Sequence, residues 1–292
     1  MSSQATDHGL KPQASSLKPE ANRIGQRFTE LRTAGRKAFI AYLTAGDPHL
    51  AATEELVVAM AEPADPARRV DLIELGIPFS DPMADGQAIQ AASERALRSG
   101  TTVAGVLACV RRIRARTQVP ILFFTYLNPV LAYGVEAFAR DAAAAGADGV
   151  LPLDLPPEEE PAFLATLRAH GLATVCLSAP NTPIARGRVL AKATQGFLYY
   201  ICRLGVTGER AELPDDLAAK VAAIKRGTGI PVCIGFGISS PEQAAAAAAA
   251  GDGAVVGSHL VKLVERHGAD ADLVRIVAAR AGELAAAVHA VR

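Results

Sequence analysis

The sequence predicts an α/β chain in which eight parallel strands alternate with helices and close into a single-domain (β/α)₈ TIM barrel, with one extra helix in front. Three observations predict it. Short β-branched apolar runs alternate with longer Ala-, Leu- and Arg-rich segments of helical period, the pattern of βα units. Eight such runs follow one another at even spacing. No linker or shift in composition divides the 292 residues, and α/β barrels of roughly 250 residues fold as one domain. A doubly wound sheet with added strands is the competing architecture, which the even spacing disfavours.

Residues 1–20 are polar, with Pro12, Pro19, Ser and Gln and no apolar run of the kind a signal peptide needs, so they read as a disordered tail. The barrel domain is expected over 21–292, with Phe28-Leu31 in a helix before the first strand. Strands are expected near Ala38-Leu43, Val70-Leu75, Ile121-Tyr126, Gly149-Leu153, Ala173-Leu177, Phe197-Ile201, Pro231-Ile234 and Ala254-Val256. Ala145-Gly146-Ala147-Asp148-Gly149-Val150 is echoed by Ala250-Gly251-Asp252-Gly253-Ala254-Val255, as where a helix stops at glycine and a strand begins. That echo reads as architecture, without chemistry.

Composition excludes several classes. Thirty Lys and Arg balance thirty Asp and Glu with no tract of either sign, which points to a small-molecule ligand and away from nucleic acid or a lipid surface. No apolar stretch approaches the roughly 18 residues of a membrane span. Cys109, Cys176, Cys202 and Cys233 lie in apolar segments without paired spacing and read as buried reduced thiols, which suits the cytoplasm. The six histidines show no ligand-like pairing, so no metal is expected. No lysine lies within an expected strand core, which disfavours Schiff-base chemistry, and no nucleophile elbow is present. Carboxylate acid–base chemistry on a phosphorylated small molecule remains.

In a barrel the chemistry sits at the C-terminal strand ends. Along Val70-Asp71-Leu72-Ile73-Glu74-Leu75-Gly76, alternation puts Leu72 and Glu74 on one face and Ile73 and Leu75 on the other. If that first face is the interior, Glu74 loses hydration and titrates above its ordinary value of about 4.3, which suits a proton shuttle. The bland alternative is a structural hydrogen bond. In the following loop Asp81, before Pro82, is a turn former, and Asp85, before Gly86 and a helix from about Gln87, is either a cap or a site residue. Gly235-Phe236-Gly237-Ile238-Ser239 after strand seven and Gly257-Ser258 after strand eight stand where barrels hold phosphate on backbone N–H groups, though ordinary turns and caps would look the same singly. Leu204-Gly205-Val206-Thr207-Gly208-Glu209 is a third glycine-bounded loop, long enough for a lid or a further phosphate contact.

The run Leu72-Ile73-Glu74-Leu75-Gly76-Ile77-Pro78-Phe79-Ser80-Asp81-Pro82-Met83-Ala84-Asp85-Gly86 resembles the signature of tryptophan synthase alpha chains. The likeness runs from about Arg23 to Glu265 and takes in Thr44-Ala45-Gly46-Asp47-Pro48, Tyr126-Leu127-Asn128-Pro129, Asp154-Leu155-Pro156, Gly205-Val206-Thr207-Gly208, Gly235-Phe236-Gly237-Ile238-Ser239 and Gly257-Ser258. It implies retro-aldol cleavage of indole-3-glycerol phosphate to indole and glyceraldehyde 3-phosphate. By the same resemblance Glu74 protonates indole C3 and takes a proton from the glycerol hydroxyl, while Asp85 holds the indole N–H. Tyr199, Tyr42 and Phe236 correspond to substrate-side aromatics, with core packing as the alternative for each, and Gly208, Gly237, Gly257 and Ser258 to phosphate contacts. Asp47, Asn128 and Pro129 correspond to positions facing a β chain. The family hands indole to that β chain in an α2β2 complex, so pyridoxal phosphate is expected in the partner and no cofactor in this chain. Departures are the connection Glu62-Arg69, Gln87 where proline is frequent and Cys202 where serine is frequent. A stand-alone lyase that releases free indole, and more distantly a non-catalytic phosphate-binding regulatory subunit, are the alternatives.

Overall fold

A computed structural model describes residues 22–202, 214–226, 228–235 and 237–292. The expected tail over 1–20, the loop around Gly208, and Phe236 lie outside the described residues. Strands β1 (Ala38–Thr44), β2 (Leu72–Gly76), β3 (Ile121–Thr125), β4 (Gly149–Pro152), β5 (Ala173–Thr174), β6 (Leu177–Ser178), β7 (Leu198–Ile201), β8 (Val232–Gly235) and β9 (Gly253–Val256) form one sheet, every pair parallel, in the order β5-β4-β3-β2-β1-β9-β8-β7-β6.

β5 and β6 are two pieces of the single strand expected over Ala173-Leu177. The Cys176 N–H donates to Thr194 Oγ1 at 2.9 Å, and the Gln195 N–H takes the Thr174 carbonyl at 2.8 Å, so two residues of the ladder are lost to a side chain and a loop. The ring still closes through them, because Val175 N–H reaches the Val150 carbonyl and Tyr199 N–H the Cys176 carbonyl, each at 3.0 Å. Eight strands in sequence thus give nine ladder segments.

The remaining layer is helical. α1 (Arg23–Thr33) starts at Asn22, whose side chain accepts the Gly25 N–H, and its apolar face of Ile24, Phe28 and Leu31 plugs the N-terminal end of the barrel against inward side chains such as Leu72, Leu122 and Phe197. α2 (Leu50–Ala61), α3 (Gln87–Arg98), α4 (Val103–Arg114), α5 (Leu127–Tyr133), α6 (Val135–Ala145), α7 (Pro161–Ala169), α8 (Ile184–Ala193), α9 (Leu217–Lys225), α10 (Pro241–Ala250), α11 (Ser258–His267) and α12 (Leu273–His289) follow in order. Ile73 and Leu75 point into the layer between sheet and helices while Leu72 points into the barrel, so Glu74 is on the inner face that alternation gives it. The Glu62-Arg69 connection contains one 3-10 turn, Pro66–Arg68, packed on α12.

The echoed glycine–aspartate sequences have a mechanical explanation. Asp148 and Asp252 each accept a backbone N–H from the preceding strand position in space, Ile121 and Val232, both at 2.8 Å, and Asp71 does the same for Phe39 at 2.7 Å. Arg23 and Arg114 hold Asp148, Arg27 holds Asp71 and Lys225 holds Asp252. The N-terminal rim is therefore stapled by carboxylates, buried at Asp71 and Asp148 and half-buried at Asp252, that accept from backbone and cation together.

Candidate active site

The C-terminal mouth is built differently. Glu74 is paired in register with Tyr42 on one side and Leu122 on the other, 1% exposed, and its Oε1 has no hydrogen-bond partner. Burial alone pushes its carboxyl up to about 8. Such a group is neutral near pH 7 and close enough to its titration point to give and retake a proton.

Asp85 is 8% exposed, and it does not cap the helix that follows. Gly86 is the N-cap of α3 without any side-chain bond, while the Asp85 carboxylate accepts the Tyr126 hydroxyl at 3.0 Å. Tyr126 in turn accepts the Ala84 N–H at 2.9 Å, so one hydroxyl fixes both the loop and its acid. Burial raises Asp85 to about 6 against the opposing pull of that hydrogen bond. Asp81 is exposed and takes the Ser80 hydroxyl within its turn, as a proline-preceding aspartate should.

Tyr42, Glu74, Tyr199, Gly237, Gly257 and Ser258 line one cavity together, with Ile89, Phe124, Ile238 and Val255 as apolar walls. Inward strand parity is the only sequence signal for Phe124 and Val255, and Ile89 on α3 and Ile238 in the turn after β8 have none. The tyrosine rings fit because two strands end in glycine: a Cβ on Gly76 would stand 2.2 Å from the Tyr42 hydroxyl, and one on Gly235 2.3 Å from that of Tyr199. Tyr42 is buried and Tyr199 half-buried, and both phenols are held well above their ordinary value, so they are neutral donors; desolvation is the main cause, followed by Asp85 for Tyr42 and Glu74 for Tyr199.

The two glycine turns differ in what they leave open. At α10 the N-terminal donors are taken by a capping box between Ser240 and Gln243. At α11 the N-cap is Gly257, with no side-chain cap, so the first N–H groups of the helix face the cavity mouth unclaimed by a capping side chain. Gly237 takes φ 77°, a conformation in which a side chain would be strained. Among the described residues no group of three His, Cys, Asp or Glu is placed to hold a metal ion.

Asp47, Asn128 and Pro129 stand apart from this cavity. Asp47 is buried, its two carboxylate oxygens bound by Arg95 at 2.9 and 2.8 Å, whereas Asn128 is exposed on α5.

The Tryptophan synthase alpha chain family model matches residues 28–289. The chain belongs to the tryptophan synthase alpha chain family. It is 51% identical over 257 residues to the tryptophan synthase alpha chain of Geobacter sulfurreducens, an alignment covering 88% of this chain and 95% of that one. To the alpha chain of Opitutus terrae it is 47% identical over 270 residues, covering 91% and 98%. Among solved structures, Mycobacterium tuberculosis tryptophan synthase superposes with a TM-score of 0.83 at 38% identity, covering 92% of this chain and 99% of that one. The alpha chain from Legionella pneumophila gives 0.78 at 33%, covering 91% and 97%. The activity of a tryptophan synthase alpha chain, a lyase reaction on indole-3-glycerol phosphate that yields indole and glyceraldehyde 3-phosphate, is accordingly the activity of this chain.

None of the departures from the family pattern replaces either acid. Gln87 opens α3, Cys202 is buried beyond β7, and Ala67 in the extra connection is bound by His289 of α12.

Proposed function

We propose that Glu74 and Asp85 divide the acid–base work of this cleavage. Indole carbon leaves poorly until C3 is protonated. Neutral Glu74 delivers that proton to C3, leaving positive charge on the ring and a carboxylate on the enzyme. The carboxylate then removes the proton of the glycerol hydroxyl next to the breaking bond. As the hydroxyl oxygen becomes the aldehyde oxygen, the carbon–carbon bond breaks and its electron pair returns to the ring, releasing indole and glyceraldehyde 3-phosphate with Glu74 protonated again. Asp85, ionised and held by Tyr126, accepts the indole N–H and stabilises the ring cation. The observation that carries this reading is a wholly buried carboxyl with an unpartnered oxygen at the mouth of the barrel.

The indole lies between Tyr42, Phe124 and Ile89, with Tyr199 beside the glycerol chain, and the phosphate binds the Gly237 turn and the N-terminus of α11 at Gly257 and Ser258. Gly208 and Phe236 belong to the same two assignments by family correspondence. The chain functions as one catalytic domain over 21–292, in the cytoplasm, with a pyridoxal-phosphate-bearing β chain in an α2β2 complex, and carries no cofactor of its own. Two exposed apolar side chains, Met83 at 90% and Leu131 at 53%, flank the mouth beside exposed Asn128 and support docking there. Asp47 serves that face indirectly, since Arg95 already holds its carboxylate.

Single-turnover indole release from indole-3-glycerol phosphate, measured for the parent and Glu74→Gln with and without a β chain, tests the reading. Parent-like release by Glu74→Gln would sink the assignment of the acid. A cognate β chain that leaves the sedimentation of this chain unaltered would make it a stand-alone lyase.

A further inference from the structure

We infer that Arg280, on the last helix and outside the cavity, is a positioning residue that clamps the two phosphate turns into one site. Its guanidinium spends each of its edges differently. Nη2 donates to the Ser239 carbonyl at 2.8 Å, Nε donates to His259 Nε2 at 3.0 Å, and Nη1 pairs with Glu283 at 2.7 Å. Ser239 lies two residues beyond Gly237, in the turn that follows β8. His259 lies next to Ser258, in the first turn of α11.

These two turns belong to successive βα units, and each supplies part of the anion site. Their separation decides whether backbone N–H groups from both converge on one phosphate. A guanidinium is suited to fixing it, because its planar fork holds several acceptors in set directions at once. The contact with His259 specifies more than proximity. An N–H aimed at Nε2 needs a lone pair there, so this nitrogen carries no proton, and the ring is held as one tautomer. α12 packs against both α10 and α11, so the clamp is anchored to an element that spans the two units. The acids facing the guanidinium are Glu283 on its own helix and Glu242 on α10, which balance its charge and leave geometry as its main contribution.

The inference rests on the phosphate reading given above, and the test keeps the two apart. Glycerol 3-phosphate, which carries the phosphate but no indole, is titrated by calorimetry into the parent, Arg280→Gln, Arg280→Lys and Ser258→Asp, with indole alone as the control ligand. Steady-state constants with indole-3-glycerol phosphate are measured beside it. Both Arg280 variants are expected to weaken glycerol 3-phosphate binding and raise KM by about fivefold to tenfold, with indole affinity unchanged and kcat within about twofold. Lysine keeps the charge without the fork, so its failure to rescue distinguishes position from charge. If Ser258→Asp loses glycerol 3-phosphate while the Arg280 variants bind it like the parent, the clamp is overturned. If Ser258→Asp itself binds like the parent, the phosphate site falls and the clamp with it. Should Arg280→Gln melt early, His259→Phe takes its place, because it takes the Nε2 acceptor on α11 away from Arg280 and carries the same expectation.

Discussion

Asp71 and Glu74 stand three residues apart on the same length of chain, both about 1% exposed, and they have opposite fates. Burial would raise Asp71 as it raises Glu74. At Asp71, however, His289, Arg27 and the Phe39 N–H together outweigh burial and hold the carboxyl below its ordinary value. Glu74 has burial and nothing to offset it, and rises to about 8. Burial at one end of the strand leaves a permanent anion, and at the other a carboxyl that is neutral near pH 7. The difference lies in the partners supplied, so charge state is a property of the rim and the mouth as built environments.

Three substitutions would sharpen or break that comparison. The largest effect is expected at Glu74→Gln, which keeps shape and cannot shuttle a proton: single-turnover indole release should fall about 10³-fold with circular dichroism unchanged. A loss under about threefold would make Glu74 a structural residue. Next is Asp71→Asn, which leaves Arg27 and His289 facing a neutral group in a buried site. Denaturant titration should show about 3 kcal/mol of lost stability, with release per folded molecule preserved. Because the folded value of Asp71 is lowered, its contribution is present above its unfolded value and is lost as pH falls, so the penalty should shrink in acid.

Asp85→Asn comes third, at about 10² in turnover, since an amide oxygen still accepts the indole N–H and only the charge is gone. The same pair of acids sets the pH profile. Asp85 must be ionised and Glu74 protonated, so kcat/KM should fall below about pH 6 and above about pH 8, and Asp85→Asn should flatten the acid limb alone. The smallest effect is on stability. A carboxyl raised in the folded state favours folding fully below its unfolded value and loses that advantage as pH rises to about 8. Glu74→Gln should therefore be neutral at pH 4 and more stable than the parent at pH 8, measured by thermal melts. A variant less stable than the parent at pH 8 would mean that Glu74 has a partner.

Period-two alternation made much of this legible. Leu72 and Glu74 share a face wherever the strand lies, and only the identity of the inner face had to be added. Asp85 was not legible in the same way, because Asp-Gly before a helix describes a cap equally well. What holds its carboxylate away from the helix start is Tyr126, 41 residues away, a long-range pairing that no local pattern encodes. The split of the fifth strand escaped for the same reason, since it depends on the Thr194 hydroxyl and the loop at Gln195. The echo of Asp148 and Asp252 was visible as punctuation, but its use as a staple appears only when the neighbouring strand supplies an N–H. Arg280 is an ordinary helix arginine until α12 is seen behind two turns from other units.

The interrupted strand has one more consequence. Cut between Val175 and Cys176, the sheet order separates into two contiguous arcs, β5 to β1 and β9 to β6, with no strand exchanged between them. The first arc carries Glu74, Asp85 and Tyr126, and the second carries Tyr199, the Gly237 turn, Gly257 and Ser258. One half of the chain holds the acids and the other holds the anchor. Within the sheet they meet along the β1–β9 ladder and the two-residue gap, and α11 and α12 of the second half pack across onto α2 and α3 of the first, so acids and anchor face each other only while these contacts hold.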